Sequence, residues 1–109
     1  MVRVTSVQQV IDEMPQQFRA AEAGDLKARI QFDLSGEGGG QWYAAIENGV
    51  AAVHAGAVDN PNLTLSGTAS DYLAVVNGDL KPLQAFMQGK VKAKGDMGLA
   101  MRLQKLFGR

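Results

Sequence analysis

The stretch Ala85-Phe86-Met87-Gln88-Gly89-Lys90-Val91-Lys92-Ala93-Lys94-Gly95-Asp96, which runs on into Met97–Phe107, is the part of this 109-residue chain that decides its fold. It predicts a short helix, a glycine that ends it, a strand with lysines at alternate positions, a Gly-Asp turn and a final helix rich in methionine and leucine. Apolar residues occupy the inward positions, and the stretch contains no nucleophile or metal-binding motif. It therefore indicates a site for apolar molecules, without covalent chemistry.

The preceding sequence supplies the other strands of a sheet. Apolar and polar residues alternate over Leu26–Leu34, which is typical of a half-buried strand. Gln41–Glu47 predicts the returning strand, and Asn48-Gly49 is a hairpin turn because both residues tolerate positive φ. Val50–Ala55 and Asn62–Ser66 complete the set. With the lysine-bearing strand, these segments predict an antiparallel sheet.

Helix signals flank the strands. Ser6 opens a first helix with a capping box, and Pro15 stops or kinks it, with Phe18 expected on a short continuation. Ser70 is expected to cap a second apolar helix, and Leu83–Gln88 is expected to form the next one. The chain is thus predicted to be one α+β domain over residues 1–109, with helices covering one face of the sheet.

Composition and charge exclude several classes of function. Eleven basic and eleven acidic residues give no net charge, which argues against nucleic acid as a partner. The absence of cysteine excludes disulfides, thiolate nucleophiles and cysteine-ligated zinc. The N-terminal sequence lacks a signal peptide and the C-terminal sequence is no peroxisomal address, so a cytoplasmic protein is expected. Seven of the basic residues, against Asp96 alone among the acids, lie from Leu80 onward.

The residues that could carry chemistry have simpler structural explanations. His54 is the single histidine, and no serine or cysteine is near it in sequence, so a packed or surface side chain is favoured over a general base. The glycines over residues 36–40 precede a strand instead of a helix, unlike a dinucleotide motif. Gly89-Lys90 lacks the upstream glycine of a phosphate-binding loop. No cofactor, no metal and no catalytic residue are predicted.

Two features allow both a structural and a functional interpretation. Lys90, Lys92 and Lys94 share one strand face, where they either protect an edge strand or bind an anionic headgroup. Methionines cluster at positions 87, 97 and 101, as either plain core or a pliable apolar surface.

Taken in order along nearly the whole chain, six stretches resemble the sterol carrier protein 2 domain family. They are Ile30-Gln31-Phe32-Asp33-Leu34-Ser35-Gly36, Trp42 to Asn48-Gly49, Pro61-Asn62-Leu63-Thr64-Leu65, Asp71-Tyr72-Leu73, Asn77-Gly78-Asp79-Leu80-Lys81-Pro82 and the closing Ala85–Asp96 stretch. The last is the most specific. Because the chain lacks the peroxisomal tripeptide of eukaryotic members, it resembles a stand-alone prokaryotic version, in which the ligand need not be a sterol.

The resemblance implies a five-stranded, mainly antiparallel sheet whose helices enclose an apolar tunnel for fatty acids, acyl-CoAs, phospholipids or sterols. By position, the expected tunnel floor consists of Phe32, Leu34, Trp42, Ile46, Leu63 and Leu65. The expected walls consist of Tyr72, Leu73, Val76, Leu83, Phe86, Met87, Met101 and Leu103. The function expected is non-enzymatic lipid binding or transfer, with transient contact with a membrane surface. The alternatives are an interaction or dimerisation module with a vestigial cavity and, less favoured, an enzyme that uses His54.

Overall fold

The computed structural model describes residues 3–107, which form an α+β domain. The elements are α1 (Val7–Gln17), α2 (Ala20–Ala23), β1 (Ala28–Ser35), β2 (Gly40–Glu47), β3 (Val50–Ala55), β4 (Leu63–Thr68), α3 (Ala69–Val76), α4 (Pro82–Met87), β5 (Val91–Gly95) and α5 (Met97–Leu106). All five predicted strands are present, with ends shifted by a few residues. The α+β class is confirmed.

The sheet has the strand order β3-β2-β1-β4-β5. Strands β1 and β4 are parallel, and the other neighbouring pairs are antiparallel, so the mainly antiparallel arrangement is confirmed. Phe32 of β1 lies between Trp42 of β2 and Leu65 of β4 in this register. The alternation of side chains places all three on the inner face, against which the helices pack.

The hairpin between β2 and β3 turns at Asn48 and Gly49, whose φ angles are 54° and 74°. Positive φ at both central residues matches the right-handed twist of the flanking strands. The predicted turn is therefore confirmed.

On the outer face of the sheet, Gln31 is buried beneath the loop of residues 56–62. Its side-chain nitrogen donates to the carbonyl oxygens of Trp42 and Gly56 at 3.1 and 3.2 Å, and its side-chain oxygen accepts from the Val58 amide at 2.9 Å. A buried amide must have such partners, because an unsatisfied one costs about 1–3 kcal/mol. Gln31 thus fixes this loop to the sheet.

Helix α1 begins as predicted, since the Ser6 hydroxyl accepts from the Gln9 amide at 3.2 Å. Pro15 does not stop the helix, which includes it and ends at Gln17. The prediction that Phe18 continues the helix was wrong. Phe18 has extended backbone and forms an isolated β-bridge with Phe107, a long-range contact that local sequence does not encode.

The predicted cap of α3 was also wrong. The hydroxyl of Thr68, not that of Ser70, accepts from the Asp71 amide at 3.0 Å. A helix cap needs extended backbone, which Thr68 has as the last residue of β4, whereas Ser70 is already helical.

An exposed ion pair connects Arg3 to Asp79, with both guanidinium nitrogens donating to the carboxylate. The hydrogen bond from Arg3, aided by its charge, holds the pKa of Asp79 below its ordinary value. Because the folded pKa is the lower one, the pair stabilises the fold above the unfolded value of about 3.9, and this contribution is lost as the pH falls through the folded pKa.

We therefore expect Arg3→Gln to lower the melting temperature slightly at neutral pH and progressively less as the pH is lowered. Calorimetric melting of both proteins from about pH 7 to about pH 2 measures the difference. A difference that stays constant over this range would show that Asp79 titrates alike in the folded and unfolded chains.

Candidate functional site

A cavity of about 330 Å³ lies between the inner face of the sheet and the helices. It is lined by residues from three strands and four helices. They are Val10, Met14, Gln17, Phe32, Leu65, Tyr72, Val75, Val76, Pro82, Ala85, Phe86, Val91, Ala100, Leu103, Gln104 and Phe107. Cavities of this size fall within the range of ligand pockets, about 300–1,000 Å³.

The lining is apolar, and none of the described residues that form it carries a charge at neutral pH. Its polar groups are the amides of Gln17 and Gln104 and the hydroxyl of Tyr72. The rings of Phe32 and Tyr72 meet edge to face with centroids 6.1 Å apart, which joins the sheet to α3 across the cavity. Such a lining favours aliphatic or aromatic groups of a ligand and disfavours an unpaired ion.

Residues from the two extremes of the described chain meet at one side of the cavity. Phe18 forms the β-bridge with Phe107, and their rings lie 5.4 Å apart. The amide of Arg19 donates to the Leu106 carbonyl at 2.7 Å. Because Gln17 precedes Phe18 and also lines the cavity, the ends of α1 and α5 together form this wall.

The cavity reaches solvent at α4 and α5. Phe86 on α4 and Gln104 on α5 line it, and both residues are exposed. Ala85 and Leu103, which are neighbours of these residues in sequence, also line it but are buried and half-buried. The opening therefore lies where these two helices flank the cavity.

The structure brings six of the fourteen predicted ligand-binding residues to the cavity. These are Phe32, Leu65, Tyr72, Val76, Phe86 and Leu103. That they bind a ligand stays a prediction.

The other eight lie outside the lining. Leu34, Ile46 and Leu63 are buried in the main core, and Trp42 and Leu73 pack against it half-buried. These side chains belong to the core cluster or pack against it, so they are covered by other core side chains and do not border the cavity. These five residues were expected in the tunnel floor or wall, but the structure places them in or against the core.

Leu83, Met87 and Met101, which were expected in the walls, have exposed fractions of 70 %, 79 % and 83 %. The helices that carry them turn other residues, Ala85 and Ala100, toward the cavity. The helical periodicity of these residues correctly predicted an apolar helix face. It did not predict which face of each helix is turned toward the interior.

Lys92 and Lys94 lie on the outer face of β5, opposite the cavity, because strand side chains alternate and Val91 points inward. Lys90 precedes the strand and is exposed. The structure thus places Lys92 and Lys94 away from the cavity opening. Strand β5 is at the edge of the sheet, which is required if its lysines protect an edge strand from pairing with other chains.

His54 also lies on the outer face, where its ring contacts that of Tyr43 at a centroid distance of 5.2 Å. It is exposed, and it lies on β3, the edge strand opposite β5. Strand β2 therefore separates it from β1, the nearest strand that contributes to the lining. Within residues 3–107, no group of three or more acidic or histidine side chains could hold a metal ion.

Sequence reasoning missed ten lining residues, of which Val10 and Met14 carried the clearest signal. They belong to the apolar stripe of α1, at a spacing that places them on one helix face. The polar Gln17 and Gln104 carried no signal at all.

The sequence profile of the SCP-2 sterol transfer family matches residues 7–108, almost the whole chain. The chain belongs to the SCP-2 sterol transfer family. SCP-2 domains are, in general, non-enzymatic lipid binding and transfer domains, which agrees with an apolar cavity that contains no charged side chain.

Curated relatives contain this SCP-2 domain as part of a longer protein. The chain is 41% identical over 80 residues to hydroxysteroid dehydrogenase-like protein 2 of Xenopus tropicalis, a match that covers 72% of the chain and 19% of that protein. It therefore spans about a fifth of the length of the curated relatives that it matches.

Solved SCP-2 structures share the fold at low identity. The solution structure of palmitated SCP2L2 from Aedes aegypti has a TM-score of 0.73 and 22% identity, and the match covers 96% of both chains. The sec-alkylsulfatase Pisa1 from Pseudomonas sp. has a TM-score of 0.82 and 16% identity, and the match covers 96% of this chain but 17% of that one. The fold therefore occurs both as most of a small protein and within a large one.

Proposed function

We propose that this SCP-2 domain binds one fatty acid, fatty acyl-CoA or related lipid by inserting its acyl chain into the cavity, and carries it without covalent chemistry. The observation that supports this most is the lining, which combines about 330 Å³ of space with apolar walls and no charged side chain. An aliphatic chain gains about 0.8 kcal/mol for each methylene that it buries there.

The energetic cost of an empty cavity supports the same proposal. At about 24 cal/mol per Å³, a rigid and dry cavity of about 330 Å³ would cost on the order of 8 kcal/mol. A small domain has a free energy of unfolding of only about 5–15 kcal/mol. Water, partial collapse or a ligand must therefore offset this cost, and a lipid does so with the best match to the apolar walls.

The relatives add support through the ligands in their names. The Aedes aegypti SCP2L2 structure contains palmitate, and the other relatives are named for sterols, hydroxysteroids and sec-alkyl sulfates. Each of these compounds has a large hydrocarbon part, and palmitate has a single long chain. The fold match makes an acyl chain a reasonable cargo for this cavity.

The proposal includes no catalysis by this domain. Among the described residues the single histidine lies across the sheet from the cavity, and the groups that line the cavity are hydrocarbon, thioether, amide and phenol. Amides and a phenol can orient a ligand by hydrogen bonds, but they do not form a nucleophile with its base.

Energy transfer from Trp42 tests lipid binding directly. Trp42 is paired in register with Phe32, which lines the cavity, so a polyene fatty acid bound there would lie within transfer distance. We expect saturable quenching near one polyene per chain, reversed by unlabelled fatty acid or acyl-CoA. A Trp42→Phe variant controls for unspecific fluorescence changes. The absence of transfer in delipidated protein that is still folded would contradict the proposal.

Thermal melting provides a second measurement of the same proposal. Delipidated protein should melt at a lower temperature than purified protein, and fatty acid at about 100 times its Kd should restore about 2.7 kcal/mol of stability. Equal melting temperatures before and after delipidation, with no response to fatty acid, would count against a lipid cargo.

A further inference from the structure

We propose that the exposed surface around the cavity opening, formed by α4 and α5, docks onto anionic bilayers. This docking surface consists of an apolar centre (Leu83, Phe86, Met87, Met97 and Met101) and a cationic rim (Lys81, Lys90 and Lys105). The inference rests on the proposed function, because it names the surface from which a lipid would enter the cavity.

The apolar centre contains most of the exposed large hydrophobic side chains of the described residues. Within residues 3–107, five of the six large hydrophobic side chains that are most exposed lie on α4 and α5, and the sixth is Val50 on the opposite face of the sheet. Met97 and Met101 are one turn apart, so they share a helix face with Gln104, which lines the cavity. The exposed apolar surface is thus continuous with the cavity opening.

Three exposed lysines lie beside the helices that carry this centre. Lys81 immediately precedes α4 and Lys90 follows it, while Lys105 lies one turn beyond Met101 on α5. All three lysines are exposed. Between residues 80 and 107, Asp96 is the one acidic residue, and its carboxylate accepts from the Leu99 amide at 3.0 Å, as the cap of α5.

The positive charge of the rim favours an anionic lipid surface as the partner of the docking surface. Each lysine near an anionic bilayer contributes about 1 kcal/mol of attraction, and exposed methionine and leucine side chains enter the boundary between headgroups and acyl chains. A second copy of the chain fits less well, because a two-fold dimer through this surface would place the same lysines against one another.

Vesicle binding with two charge-reversal pairs tests the proposal. Sedimentation would use vesicles of phosphatidylcholine with about 30 % phosphatidylglycerol, compared with pure phosphatidylcholine, and no soluble ligand. We expect K81E/K105E to weaken binding to the anionic vesicles by about tenfold or more. The matched control, K92E/K94E, changes the net charge equally but on the outer face of β5, and should stay within about twofold of the parent chain.

Three results would overturn the proposal. The first is failure of the parent chain to bind anionic vesicles, and the second is an equal loss in the two reversal pairs, which would indicate a response to net charge alone. The third is dimerisation in solution that K81E/K105E abolishes, which would assign the surface to a second copy. Since the assay needs no cargo, failure here is distinguishable from failure of lipid binding, which the Trp42 measurement reports.

A second set of variants tests the apolar centre at constant charge. Met87→Gln with Met101→Gln should weaken vesicle binding several-fold, whereas Val50→Gln, at an apolar site on the other face that is also exposed, should leave it unchanged. Equal effects of the two changes would contradict a defined docking surface. The polyene measurement should remain unaffected in all these variants, because none of the changed side chains lines the cavity.

Discussion

Replacing Ala100 with phenylalanine should lower the affinity of the cavity for fatty acid about a hundredfold. Ala100 is half-buried on α5 and lines the cavity, so a phenyl ring at this position occupies space that an acyl chain would need. If the ring displaces about four methylene groups at about 0.8 kcal/mol each, the loss is on the order of 3 kcal/mol, which corresponds to roughly a hundredfold in Kd.

The polyene titration monitored by Trp42 measures this change. Ala52→Phe is the matched control, because it makes the same substitution at an exposed position on the outer face of β3. The control should bind like the parent chain. Unchanged affinity in a folded Ala100→Phe variant would show that the lipid binds elsewhere, or that the cavity expands around the ring.

Gly95→Ala should destabilise the fold by about 3 kcal/mol, because the added methyl group meets both backbone strain and close backbone contacts. Gly95 ends β5 with φ of 118°, a conformation that side chains rarely adopt. A Cβ there would lie 2.4 Å from the carbonyl oxygen of Asn62 and 3.2 Å from the Cα of Leu63. Both contacts are with backbone that the β4–β5 pairing holds in place, so they cannot relax cheaply.

Gly56→Ala separates the two causes of this loss, which are the strain of a positive φ and the close contacts of the added methyl group. Gly56 has a similar φ of 105°, but a Cβ there would meet nothing within 4 Å. Its substitution should therefore cost only the conformational strain, about 1–2 kcal/mol. Urea unfolding of both variants measures the difference, and equal losses would show that the backbone around Asn62 yields to the added methyl group.

The sheet could be predicted from sequence because its signals are local. Alternation of apolar and polar residues assigned Phe32 and Leu65 to the inner face, and Asn48-Gly49 placed a turn. The family resemblance then supplied the prediction of an enclosed apolar space.

The cavity itself was less predictable, because its position depends on where helices leave a space. An apolar side chain such as Ile46 faces inward whether a helix packs directly on it or a cavity lies above it. Met87 and Met101 belong to apolar helix faces, yet they are exposed. A short helix beside the cavity opening can carry apolar residues both on the face toward the cavity and on the face toward solvent. Gln17 lines the site next to the bridge between Phe18 and Phe107, a contact between positions far apart in the sequence.

That same contact between Phe18 and Phe107 bears on how the domain assembles. Strands β1, β2 and β3 follow one another through short turns, so they can pair early, at little cost in loop-closure entropy. The wall formed by α1 and α5 joins segments almost a full chain length apart, and it can close only after the rest has formed. We therefore expect the space for a ligand to be among the last features completed during folding.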